Sequence, residues 1–391
     1  MTSTFSRSHL VNCEGYPSFC QGDSASGSRL TLSGVDYIDW VQGLGDSGIL
    51  GHLHPAVVSS VRSTLDEGTA VHIENYLESE VALRLMQLLP WAEDTRFCLN
   101  GTDALQGAVR LARAVTGRGP VITFKGAYHG DSADWAIQGK NPARGVASHG
   151  ERIEVEWNDC DGLERQLSRR CAAVVFEVQD DPSTDLVSLL NSSYDRYGSV
   201  LIADEVVTGF RLGLTGACGR YSIRPTLACY GKALGGGFPI ACLVGRRDLM
   251  REFDLGHTSF PVFMSYTNAG NMVGLSAAKA VLDTLTPSHF IYTKTIGRMV
   301  MDGLRDLAES ILKVPWKMVG QPERFSLRFD LYHVFQYSML QSHILVGVPW
   351  FPSIHHSVSE ALRTLDCAEG ALRMVSEGYP FNSPVKLFHR P

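Results

Sequence analysis

A carboxylate and an amine, each closing a short apolar run, concentrate the chemistry of this chain. The first run, Ser199-Val200-Leu201-Ile202-Ala203, closes on Asp204. The second, Leu227-Ala228-Cys229-Tyr230-Gly231, closes on Lys232, with Gly235-Gly236-Gly237 just beyond. Apolar runs that stop at polar and glycine residues read as buried parallel strands. In open α/β sheets the carboxyl ends of such strands border the ligand crevice. Asp204 ends an otherwise apolar strand, an expensive place for an unpaired charge, so it needs a cationic partner. A lone lysine is most often a solvated surface residue. Here the following glycines remove side chains and allow water to be excluded, which lowers the amine pKa and makes it a nucleophile and proton carrier. The pair suits pyridoxal 5′-phosphate: the lysine forms a Schiff base, and the carboxylate keeps the pyridine nitrogen protonated.

Other segments supply what such a site lacks. Asn100-Gly101-Thr102-Asp103 opens a helix whose apolar positions 105, 108, 109 and 112 share one face. Its N-terminal N–H groups and dipole form a ready phosphate site, although Asn100 or Thr102 could equally serve as a cap. After the strand-like Val121-Ile122-Thr123-Phe124 comes Lys125-Gly126-Ala127-Tyr128-His129-Gly130. Tyr128 could stack on a flat heteroaromatic ring, or be a surface tyrosine in a glycine turn. His129 could be an acid–base group or a structural hydrogen bonder.

Bulk properties narrow the classes. The 391 residues, 44% hydrophobic and 19% charged, describe a globular protein large enough for two lobes. A net charge of -6 gives no general attraction to nucleic acid or anionic membrane. No apolar stretch approaches the roughly 20 residues a membrane helix needs, and Met1-Thr2-Ser3-Thr4-Phe5-Ser6-Arg7 is not a signal segment. Nine scattered cysteines without a Cys-x-x-Cys pair argue against a disulfide framework and for a reducing cytoplasm. The histidines of Gly51-His52-Leu53-His54 and His355-His356 lack a cysteine or carboxylate cluster to complete a metal set, so no metal is expected.

From about Val57 to Ala280 strand-like runs alternate with helical stretches, including Ala173-Val174-Val175-Phe176 and Ala241-Cys242-Leu243-Val244. This pattern predicts an α/β fold with a mostly parallel central sheet flanked by helices. Ser28–Leu32, a Ser33-Gly34 turn and Val35–Trp40 predict a hairpin; Arg324–Phe329 alternates like a strand. The expected division is residues 1–55 as the N-terminal part of a small α+β lobe, 56–288 as the large cofactor domain, and 289–391 as the C-terminal small domain.

Taken in order, these segments resemble the class III pyridoxal-phosphate-dependent aminotransferases of fold type I, with greatest likeness to glutamate-1-semialdehyde-aminomutase-like members. The stretches that carry the resemblance are Val35–Trp40, Gly51–Pro55, Asn100–Asp103, Gly126–Gly130, Ala203–Arg211, Gly231–Gly237 and Thr267–Asn271. It implies Lys232 as the Schiff-base lysine, Asp204 at the pyridine nitrogen, Val206 and Tyr128 on the two ring faces, and Gly101 and Thr102 at the phosphate. It also implies that Thr267 reaches the phosphate of a neighbouring subunit, hence a homodimer with shared active sites. Candidate substrate contacts are Arg7, His129 and Glu177. The chain departs from the family after Glu177, where Val178-Gln179-Asp180-Asp181-Pro182 replaces a proline and a glycine-containing loop. It also has Leu44 or a neighbour where the aminomutase carries tryptophan. The expected reaction is transfer of an amino group from an amine or amino acid to a carbonyl acceptor. Alternatives are an aminomutase, another reaction of the same cofactor such as epimerisation or decarboxylation, and a non-enzymatic scaffold with a degenerate site.

Overall fold

Short β-branched runs alternating with amphipathic helices bury both faces of a sheet, and this alternation governs the larger part of the chain. The computed structural model describes residues 15–69, 71, 73–132, 152–257 and 262–378. Two units divide the chain, one made of Met1–His54 with Ser288–Pro391 and the other of Pro55–Pro287. The crossings fall one residue before the boundaries expected from sequence.

The first unit opens with an antiparallel meander, β1 (Ser24–Ser26), β2 (Arg29–Leu32) and β3 (Val35–Asp39). Ser33 and Gly34 join β2 to β3 with φ of 51° and 81°. Both values lie in the left-handed region that a two-residue hairpin turn requires. The chain then enters the larger unit through α1 (Pro55–Glu67) and α2 (Tyr76–Leu88).

The larger unit's sheet comprises β4 (Asp94–Cys98), β5 (Val121–Phe124), β6 (Arg152–Val155), β7 (Ala173–Phe176), β8 (Val200–Asp204), β9 (Leu227–Tyr230) and β10 (Ala241–Gly245). Their spatial order is β4-β10-β9-β8-β7-β5-β6. The pairs from β9 to β6 are parallel, whereas β10 runs antiparallel to both β9 and β4. The helices are α3 (Gly101–Thr116), α4 (Cys160–Leu167), α5 (Thr184–Tyr197), α6 (Gly216–Arg220), α7 (Arg247–Met250) and α8 (Met272–Thr284). Leu105, Ala108, Val109 and Ala112 of α3 pack with Val175, Ile202, Leu227, Cys229 and Leu243 of the sheet in one core. Every residue of β5, β7, β8, β9 and β10 is buried, as strands covered on both faces must be.

In the first unit the chain continues with α9 (Pro287–Ile311), the hairpin of β11 (Trp316–Gln321) and β12 (Arg324–Phe329), α10 (Tyr332–Gln341), β13 (Ile344–Leu345) and α11 (Val358–Ser376). β13 pairs parallel to β3, so residues from both ends of the sequence share one sheet. The core of this unit gathers Trp40, Phe325, Phe335, Trp350 and Leu372. Among the described residues no helix is long and apolar enough to cross a membrane.

His356 is wholly buried here, stacked on Trp40 at 4.0 Å between ring centroids. The Ser353 N–H donates to its Nδ1 (3.0 Å), and its Nε2–H donates to the Asp39 carbonyl (3.1 Å). Both partners fit a neutral ring. Burial pushes its pKa down from 6.5 to about 4, against the opposing pull of Glu360 and Asp39. The unfolded chain therefore binds this proton below pH 6.5, and the folded chain does not until about pH 4. Stability from this group is complete above pH 6.5 and is lost as pH falls toward 4. Urea unfolding should show a loss on the order of 3 kcal/mol over that range. The slope should be shallower in a His356→Gln variant; equal slopes would contradict the assignment.

Candidate active site

β8 and β9 are adjacent and parallel, and their register sets Asp204 level with Cys229. Lys232 follows Cys229 by three residues, at most roughly 10 Å further along that strand direction. Asp204 is 5% exposed. Its Oδ1 accepts the Val206 N–H (3.1 Å), and its Oδ2 accepts from His129 Nδ1 (2.8 Å). A carboxylate has about four acceptor positions, so two hydrogen bonds leave capacity for a cationic partner. Lys232 is half-buried and begins a single 3₁₀ turn with φ of 43°. That left-handed conformation costs about 1–3 kcal/mol in a residue with a side chain, and such strain concentrates at working sites.

The turn into α3 lies against the same loop. Asn100 caps the helix: its side chain accepts the Asp103 N–H (3.0 Å) and its Nδ2 donates to the Asp103 carboxylate (2.9 Å). Capping by Asn100 leaves Gly101 and Thr102, the first two residues of the helix, free of that role. A Cβ at Gly101 would lie 2.7 Å from Val206 Cγ2, and one at Gly130 would lie 2.4 Å from Thr102 Oγ1. A Cβ built at Gly231 would lie 3.5 Å from Val206 Cγ1, so the Val206 side chain lies close to both Gly101 and Gly231. Burial, then the nearby Asp131 charge, raises the pKa of Asp103.

The remaining expected residues fall as follows. Tyr128 is 70% exposed. His129, weighed as an acid–base or substrate group and as a structural hydrogen bonder, is fully buried and hydrogen-bonded to Asp204, 75 residues later in sequence. Glu177 is buried immediately after β7; Phe176 pairs with Ala203, so Glu177 and Asp204 leave the sheet side by side. Thr267 is exposed, and the preceding Tyr266 hydroxyl donates to the Asp103 carbonyl (3.2 Å). Arg7 lies outside the described residues. The sequence reading gave no role to Glu205, which is 1% exposed with its carboxylate in a cage of donors.

These features fit a phosphorylated pyridine aldehyde. The glycine cradle admits backbone N–H groups to a phosphate, the buried carboxylate suits a protonated ring nitrogen, Val206 offers an apolar ring contact, and Lys232 supplies the amine. The fold and site together define a pyridoxal-phosphate-dependent transferase of fold type I. Comparison narrows this: the model of the aminotransferase class-III family matches residues 13–141 and 146–318, and the chain belongs to that family. It is thus an enzyme of this class with pyridoxal 5′-phosphate as cofactor.

A glutamate-1-semialdehyde 2,1-aminomutase of Thermus thermophilus is 34% identical over 296 residues, covering 70% of this chain and 68% of that protein. Its counterpart in Deinococcus radiodurans is 35% identical over 347 residues, covering 82% and 74%. A solved structure described as a transaminase with PLP bound superposes with a TM-score of 0.85 at 24% identity, covering 95% and 94% of the two chains.

Gly101→Ala tests the cradle. Alanine is the better helix former, so propensity alone gives the variant no reason to lose structure. The contact with Val206 predicts the opposite for cofactor binding. Equilibrium dialysis should show affinity weakened at least about tenfold, or ~1.4 kcal/mol, with circular dichroism unchanged. Unaltered affinity would remove Val206 and Gly101 from the cofactor site.

Proposed function

We propose that this enzyme transfers an amino group between two molecules, from an amine or amino-acid donor to a carbonyl acceptor. The reading rests on one observation, the closure of neighbouring strands by Asp204 and Lys232 with His129 hydrogen-bonded to the carboxylate. When bound, the cofactor supplies an aldehyde for amine exchange and a ring that accepts the electron pair released when a C–H bond beside nitrogen breaks.

The rest is work for the chain. Lys232 Nζ would hold the cofactor through its aldehyde and, once released from it, would serve as the amine that takes up and delivers a proton. Asp204 would face the protonated ring nitrogen, and His129, donating from Nδ1, orients the carboxylate. Gly101 and Thr102 retain the phosphate while Lys232 is free to move a proton. Val206 and Tyr128 bracket the ring, and Glu177 stands at the sheet edge beside Asp204 as a candidate substrate contact. Arg7 keeps its proposed role as a carboxylate contact.

A homodimer is part of the proposal, with Thr267 completing the phosphate site of the second chain. Exposed Leu65 of α1, with Tyr76 and Leu83 of α2, gives the larger unit apolar surface suited to such pairing. Catalysis in the cytoplasm fits the free cysteines, eight of which are described and none bonded.

Intramolecular amino transfer is the second reading, favoured by the names of the relatives at 34–35% identity. A mutase needs no separate donor, so turnover of a single amino-carbonyl compound without a second amine would select it over the first.

Lys232→Ala should abolish turnover, and full activity in that variant refutes the assignment. Asp204→Asn should bind cofactor yet lose at least about a hundredfold in rate, the size expected when one preorganised electrostatic group is removed. Half-reactions monitored in the cofactor's visible band with a panel of amines measure both; a wild-type rate in Asp204→Asn would take the carboxylate out of the mechanism.

A further inference from the structure

Asp204 and Val206 approach the cofactor position from the strand end, and the residue between them points into a different environment. Glu205 is 1% exposed. Its Oε2 accepts from Thr208 Oγ1 (2.5 Å) and the Ala217 N–H (3.1 Å), and its Oε1 accepts the Cys218 N–H (2.7 Å). The Cys218 thiol also bonds to it. Every one of these partners is a donor, so the cage fits a group that only accepts, which an ionised carboxylate does and an amide does not. The protein has also cleared space for it: Gly216 has φ of 62°, and a Cβ there would sit 2.3 Å from Oε2. Burial raises the pKa of Glu205, and the four donors oppose that rise.

An internal carboxylate held at this cost ties down the segment that carries it. The Glu205 N–H donates to the Cys229 carbonyl on β9 (2.9 Å), and its own carbonyl accepts the Gly209 N–H (2.8 Å). The backbone is thus bound on the β9 side while the side chain is bound to the turn from 215 to 218. Asp204 and Val206, one residue to either side, inherit their bearings from this double attachment. Val206 in turn lies where only a residue without a Cβ at position 101 leaves it room.

We infer that Glu205 is a positioning residue for the cofactor site: through its cage at Thr208, Ala217 and Cys218 it fixes the Asp204 carboxylate and the Val206 side chain relative to Lys232. The inference rests on the proposed roles of Asp204, Val206 and Lys232. In Glu205→Gln an –NH2 must face one of the backbone N–H donors, and the attachment loosens without a change in the residues that would touch the cofactor.

The test uses the full chain loaded with pyridoxal 5′-phosphate. Cofactor affinity is measured by dialysis, and the pH midpoint of the bound cofactor's visible band by titration, alongside the melting temperature. Glu205→Gln should weaken retention at least about tenfold and move the midpoint, because the carboxylate governing the ring nitrogen has shifted. Thr208→Ala, which removes one donor and leaves the rest, should shift both in the same direction by less, and it keeps the test decisive where Glu205→Gln does not fold. A fall in melting temperature with wild-type retention and midpoint, in either variant, shows a purely structural glutamate and overturns the inference. Wild-type protein that takes up no cofactor overturns the underlying reading as well, and it is told apart by failing before any substitution is made.

Discussion

One buried charge organises this molecule: the carboxylate of Asp204, 5% exposed at the end of an apolar strand. Such a charge is unstable in a low-dielectric interior unless it is paired and hydrogen-bonded. The chain provides two hydrogen bonds, from His129 and the Val206 backbone, and on the function proposed above the remaining acceptor capacity would receive the ring nitrogen of the cofactor.

The surrounding architecture delivers that charge to one place. Parallel pairing of β7, β8 and β9 brings Glu177, Asp204 and Lys232 out along the same edge. Helix α3 begins at that edge, and the absence of side chains at Gly101 and Gly130 lets Val206 and Thr102 close against it. Strain is accepted at Lys232, whose left-handed backbone is held by the turn it begins. The smaller unit keeps His356 as a neutral imidazole in an aromatic core.

Much of this was legible in the sequence because strand ends and helix starts leave local marks. Asp204 and Lys232 stood out as polar residues closing apolar runs, and the hairpin turn at Ser33-Gly34 gave its own signal. The reversed direction of β10 left none: Ala241–Gly245 is as apolar as its parallel neighbours, and direction is decided by the connection rather than by composition. β13, two residues long, is too short for any period to register. The two roles offered for His129 stayed open, and Glu205 drew no notice, for the same reason. Their partners lie 75 residues away in one case and across a turn made by later residues in the other, so only the folded chain supplies them.

The central claim is a covalent one, between the aldehyde of the cofactor and the amine at position 232. Incubating the protein with pyridoxal 5′-phosphate, reducing with borohydride and mapping peptides by mass spectrometry reads it directly. The account predicts a single modified peptide carrying the reduced phosphopyridoxyl group on Lys232. Modification spread over surface lysines, or an unmodified Lys232 peptide, would contradict it.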